Sequence, residues 1–125
     1  MKPILLIADD SPGKIMMMQG MLSRFGWEGD VLTVPTTDGA KKIIDAQPVT
    51  HAFIDFYIPT ENGPAVIAYL KAKNPDARIA LVSSSDKYEN KLAAEAAGAE
   101  KLICTGYEPD EVEWAFKELL GEWVG

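Results

Sequence analysis

The sequence predicts an α/β domain in which a parallel sheet is doubly wound by helices. Three observations carry this expectation. Short apolar runs alternate with longer segments of helical periodicity along the whole chain. The runs at 4–8, 52–54 and 79–82 lack polar alternation, as strands covered on both faces do. Each of them ends abruptly in polar residues: Asp9-Asp10, Asp55 and Ser83. In an open α/β sheet, ligands collect at the carboxyl ends of the strands. The length of 125 residues suits one domain, 1–125, with a real core.

Taken in order, Ile4 to Ala8 is the first buried strand. Ser11 as N-cap and Pro12 at the first helical position start a helix. Its inward stripe is Ile15, Met18, Leu22 and Phe25, and Gly26 closes it. Met16, Met17 and Met21 add adaptable apolar surface, as core filler or as a partner surface. Val31 to Val34 is a shorter strand of mixed composition, which suits an edge. Thr36 or Thr37 caps the next helix, with Ala40, Ile43 and Ile44 inward and Gln47-Pro48 at its end. The central strand runs from His51 to Asp55. His51 falls at the end opposite the carboxylates, where a surface or capping role is expected rather than a catalytic one.

A loop, 57–63, follows Asp55. Pro64 begins a helix carrying Val66, Ile67 and Leu70, and Asn74-Pro75-Asp76 is a turn. Ile79 to Val82 is a buried strand running into Ser83. Leu92, Ala93, Ala96 and Ala97 lie on the helix after it, whose small residues allow close approach to the sheet, and Gly98 ends it. Leu102 to Cys104 is the fifth strand, closed by Thr105-Gly106. Pro109 or Asp110 begins the last helix, with Val112, Ala115, Phe116, Leu119 and Leu120 inward. Trp114 lies opposite that stripe and faces solvent. Trp123 packs back onto the domain.

Composition narrows the function. The net charge of −7, from 12 basic and 19 acidic residues, argues against binding a nucleic-acid backbone directly. The single cysteine, Cys104, excludes an internal disulfide and suits a reducing compartment. The apolar start is too short for a signal peptide, and no run approaches the ~20 residues of a membrane span. A cytoplasmic location without membrane contact is expected.

Asp9, Asp10 and Asp55 at one sheet edge repel one another unless a cation offsets them. Oxygen ligands without neighbouring His or Cys suit a hard ion, Mg²⁺ before Zn²⁺. Such a site suits phosphoryl transfer, and a carboxylate can itself be the nucleophile. Ser83 offers a hydroxyl to a phosphoryl oxygen. Each residue alone is explained as a cap or a turn; their convergence is not.

Over nearly its whole length the chain resembles a response-regulator receiver domain of two-component signalling. The resemblance rests on Ile7-Ala8-Asp9-Asp10-Ser11, Asp55-Phe56-Tyr57-Ile58-Pro59 with Gly63, Leu81-Val82-Ser83 and Gly98-Ala99. It implies a flavodoxin-like (βα)5 fold with strand order 2-1-3-4-5. It implies Asp55 as phosphoacceptor and Ser83 as phosphoryl contact. Mg²⁺ would be bound by Asp9, Asp10, Asp55 and the backbone carbonyl of Tyr57. Its partners would be a sensor histidine kinase or phosphotransfer protein, and a downstream protein or a second copy through the last helix, where Trp114 sits. It implies a signalling module rather than an enzyme, with at most self-phosphorylation and dephosphorylation at Asp55.

Two positions depart from the family pattern. Thr105 stands where the family has a lysine, and Leu102 where it has a switch aromatic. A threonine offers one neutral donor and no charge, so impaired phosphorylation is expected. Lys14 and Lys87 are the nearby cations that a loop could bring in, and Tyr57 and Tyr107 are placed to crowd the pocket. The alternative is a pseudo-receiver, a phosphorylation-independent protein-interaction domain on the same fold. A Mg²⁺ phosphohydrolase or a flavin-binding domain fits less well, lacking a second acid after Asp55 and a phosphate-cradling loop. The sequence stops at Gly125 soon after the last helix, as a single-domain regulator or an excised receiver would.

Overall fold

A computed structural model describes residues 2–124, so the outer bounds of the expected domain, Met1 and Gly125, lie outside the described residues. Strands and helices alternate strictly: β1 (Ile4–Ala8), α1 (Pro12–Arg24), β2 (Asp30–Val34), α2 (Thr37–Ala46), β3 (His51–Ile54), α3 (Gly63–Lys73), β4 (Arg78–Ser83), α4 (Tyr88–Ala97), β5 (Lys101–Cys104) and α5 (Pro109–Val124). The five strands form one parallel sheet in the order β2-β1-β3-β4-β5. The doubly wound (βα)5 expectation and its strand order are met. β2 is an edge strand, as its mixed composition predicts.

The two faces of the sheet carry separate cores. Leu6, Ala8, Ile54, Ile79 and Leu81 pack with Ala40, Ile44, Val66, Ile67 and Leu70 of α2 and α3. Leu5, Ile7, Phe53, Ala80 and Val82 pack with Met18 and Leu22 of α1 and with Phe116, Leu119 and Leu120 of α5. Alternation along each strand thus divides between two buried faces, which is why the strands read as continuous apolar runs. Met17 and Met21 pack against the second core while Met16 is exposed, so filler describes two of the three flanking methionines.

Local signals explain the helix ends. Ser11 accepts a hydrogen bond from Lys14 N, Thr36 from Gly39 N and Asn62 from Ala65 N. Thr36, not Thr37, is therefore the cap of α2. Gly26, at φ +90°, lets Trp27 N donate back to the Leu22 carbonyl at 3.0 Å and closes α1.

Two expectations are corrected. On α4 the inward residues are Asn90 and Ala94, while Leu92 is 48% exposed and Ala96 is also exposed. With almost no large apolar residue in the helix, its periodicity left the inward face ambiguous. His51 is neither a surface nor a capping residue. Its ring is half-buried between the indoles of Trp27 and Trp123, each centroid 5.0 Å away. Trp123 is buried, as expected, and Trp114 is 62% exposed.

Candidate functional site

Parallel pairing carries the polar residues that end the strands to one edge. Asp9 follows β1 and its N–H donates to the Val34 carbonyl at 3.0 Å. Asp55 follows β3 and its N–H donates to the Ala8 carbonyl at 2.9 Å, which sets it beside Asp9. Ser83 ends β4 in register with Cys104, and Thr105 N donates to the Ser83 carbonyl at 2.9 Å.

Asp9, Asp10 and Asp55 each offer a carboxylate oxygen within 4.8 Å of the others. They differ in exposure: Asp9 is buried, Asp55 half-buried and Asp10 exposed. Asp9 Oδ1 accepts from Ser11 N at 2.9 Å, and Asp55 Oδ1 from Phe56 N at 2.9 Å. Gly63 abuts the site from α3. A Cβ there would stand 2.2 Å from the Asp55 carbonyl oxygen, so only glycine permits this approach.

Lys14 enters from the first turn of α1. Its ammonium lies 2.8 Å from Asp9 Oδ2 and 3.0 Å from Asp55 Oδ1, and donates to the Val82 carbonyl at 2.6 Å. Asp9 Oδ2 still receives no well-aligned hydrogen bond. The ammonium attracts this oxygen as an ion pair, while its hydrogen bond goes to the Val82 carbonyl. Burial pushes the Asp55 carboxyl above its ordinary value, and the Lys14 charge and hydrogen bond oppose that rise; Asp9 adds to it.

Ser83 is buried, with Oγ accepting from Ser85 N at 3.2 Å. Tyr57 and Tyr107 are both 53% exposed. The Tyr57 hydroxyl accepts from Asn90 Nδ2 at 2.8 Å, and the Tyr107 hydroxyl donates to Asp86 at 3.0 Å. Both hydroxyls are thus tied to α4 and the loop before it. Lys87 is exposed at the start of α4, and its backbone N–H bonds Ser85 Oγ. Leu102 is half-buried in a cleft of about 430 Å³ between α4 and β5, shared with Asn90, Lys101 and Tyr107. Sequence reasoning offered Thr37 only as a candidate helix cap and missed its hold on the loop after Asp55. Buried, its hydroxyl accepts from Thr60 N and Glu61 N, and its own N–H donates to the Pro59 carbonyl at 2.7 Å, tying down the loop after Asp55. The doubled Thr36-Thr37 was the only signal for it.

All donors in the carboxylate cluster are oxygens, and the buried Asp9 Oδ2 keeps capacity for a further partner. Among the described residues no backbone N–H donates to the Tyr57 carbonyl, whereas the Phe56 carbonyl accepts from Gly63 N at 2.8 Å. This donor set fits a hard cation.

A doubly wound sheet with this strand order and three carboxylates at the carboxyl ends of its strands defines the flavodoxin-like class of α/β domains. Comparison with known proteins fixes the family. The sequence profile of the response regulator receiver domain matches residues 5–116, and the chain belongs to that family. It is 28% identical over 115 residues to the photosynthetic apparatus regulatory protein RegA of Cereibacter sphaeroides, covering 91% of this chain and 60% of RegA. It is 26% identical over 117 residues to the probable transcriptional regulatory protein TcrX of Mycobacterium tuberculosis, covering 92% of this chain and 48% of TcrX. The chain therefore spans only about half to three-fifths of these relatives. Among solved structures, a CheY-like receiver domain protein from Methanospirillum hungatei superposes with a TM-score of 0.80 at 21% identity, over 98% of this chain and 96% of that one. No helix among the described residues is long and apolar enough to cross a membrane.

Proposed function

We propose that residues 1–125 form one receiver domain that accepts a phosphoryl group on Asp55. The observation that supports this best is the convergence of Asp9, Asp10 and Asp55 within 4.8 Å at the sheet edge. The buried hydroxyl of Ser83 ends the neighbouring strand. Asp9, Asp10, Asp55 and the Tyr57 carbonyl would hold Mg²⁺, which supplies charge neutralisation to phosphoryl oxygens when bound. Phe56 N and Lys14 both engage Asp55 Oδ1, leaving Oδ2 as the attacking oxygen. Ser83 donates to the phosphoryl group and links it to β4. The donor is a sensor histidine kinase or phosphotransfer protein in the cytoplasm. The readout is a downstream protein or second copy on the α5 face, where Trp114 is exposed.

A second reading, the phosphorylation-independent pseudo-receiver, draws on Thr105 and on Leu102, an aliphatic side chain of β5 that lines the cleft between α4 and β5. One experiment separates the two. Protein incubated with Mg²⁺ and acetyl phosphate gains one acid-stable, base-labile phosphoryl group by intact mass, and Asp55→Asn gains none. An unlabelled wild type, or a labelled Asp55→Asn variant, would favour the pseudo-receiver.

A further inference from the structure

Lys14 is an odd residue to find where it is. A cation in the first turn of a helix opposes the helix dipole, and α1 has no acidic residue in that turn to compensate. Its side chain is nonetheless only 13% exposed. The ammonium has three oxygen neighbours, two in ion pairs and one in a hydrogen bond, drawn from the ends of three successive strands of the sheet: Asp9 after β1, Asp55 after β3 and Val82 in β4. Such a side chain has given up rotamer freedom and hydration for one location. That location is beside the carboxylate read above as the acceptor. At the end of β5, Thr105 brings no charge.

We propose that Lys14, delivered from α1, is the residue that carries the positive charge for the phosphoryl group of this receiver. The inference rests on the reading of Asp55 as acceptor. Asp55 Oδ2 forms a bond to the phosphorus of acetyl phosphate; the phosphorus–oxygen bond to the acetyl group breaks, and acetate leaves with that electron pair. Asp55 attacks as the carboxylate and acetate departs as an anion, so no proton is transferred. The product acyl phosphate carries more negative charge than the carboxylate it replaces, next to an ammonium already held 3.0 Å from Oδ1. Charge that increases during the reaction beside a pre-positioned cation is the condition for transition-state stabilisation. Thr105 is then not a defect in isolation, because the charge has moved to another element.

The test compares wild type, Lys14→Met and Lys14→Met/Thr105→Lys, each shown to be folded by circular dichroism. Labelling by acetyl phosphate is followed over time by intact mass. Lys14→Met should label roughly 10²-fold more slowly, and adding Thr105→Lys should recover about tenfold or more of that loss. Wild-type labelling with an unaffected Lys14→Met overturns the role of Lys14 and leaves the acceptor reading intact. A folded, slow Lys14→Met that Thr105→Lys does not rescue also overturns it, since charge was then not what was lost. A wild type that does not label at all removes the acceptor reading and this inference together.

Discussion

At the scale of single residues, the site is held by side chains whose replacement gives opposite signs. Lys14 places one positive charge against two of the three carboxylates that would hold Mg²⁺. At ~4 Å and an effective dielectric of ~20, one charge pair is worth about 4 kcal/mol before desolvation. Lys14→Met should therefore bind Mg²⁺ at least about tenfold more tightly, read by titration of tryptophan fluorescence. Unchanged or weaker binding would mean that the ammonium and the ion do not share the same field. Gly63 acts through space instead. Gly63→Ala forces a Cβ against the Asp55 carbonyl. It should cost about 2 kcal/mol in urea denaturation, within the range of overpacked sites, and an unaltered midpoint would mean the loop yields freely. The three carboxylates and Ser83 were legible in the sequence because each ends an apolar run. The position of the Lys14 ammonium was not. A lysine spans several ångströms of flexible chain, and its reach depends on how α1 crosses the strand ends, which no local pattern records.

At the scale of elements, legibility followed the strength of the pattern. β1, β3 and β4 were clear because both faces of each are buried. The starts of α1 and α2 were clear because their caps have side-chain oxygens at fixed offsets. Thr36→Ala should lower stability by about 1 kcal/mol, as lost N-caps do; an unchanged denaturation midpoint would show that Thr37 substitutes for it. α4 failed because alanines on every side give no preferred face. Its observed orientation makes a contrast that can be measured. Leu92→Gln, on the exposed face, should change stability by less than about 0.5 kcal/mol. Ala94→Gln puts a polar, larger side chain into a fully buried position and should cost about 2 kcal/mol or more. The reverse ranking by urea denaturation would mean that α4 is rotated in solution.

At the scale of the whole molecule, the sheet separates two chemistries by its own length. The carboxyl edge holds the charged site. The amino edge holds an aromatic cluster of Trp27, His51 and Trp123, and Trp123 also stacks on Phe53, whose ring meets Phe116 of α5 edge-on. Both indole Nε1 atoms in this cluster are buried without a hydrogen-bond partner, so the indoles are held by packing, while His51 Nδ1 shares a hydrogen bond with the Thr50 hydroxyl at 2.8 Å. The lone histidine was recognisable as remote from the site, but its aromatic company comes from the segment after α1 and from the end of α5, far apart in sequence. Burial chiefly, and then the neighbouring Arg78 charge, lower the His51 pKa from 6.5, with Glu100 opposing. Because the folded value lies below the unfolded one, the unfolded chain takes up the proton first as pH falls. The stability that neutral His51 contributes is complete above about pH 6.5 and is lost as pH drops toward the folded value. His51→Phe keeps an aromatic ring between the two indoles and removes the titration. Urea midpoints of wild type and His51→Phe, taken from pH 7.5 down to pH 5, should diverge, with wild type losing stability relative to the variant as the solution becomes more acidic. Parallel curves would show that the imidazole is as free to charge in the folded protein as in the unfolded chain, and that the two tryptophans do not enclose it.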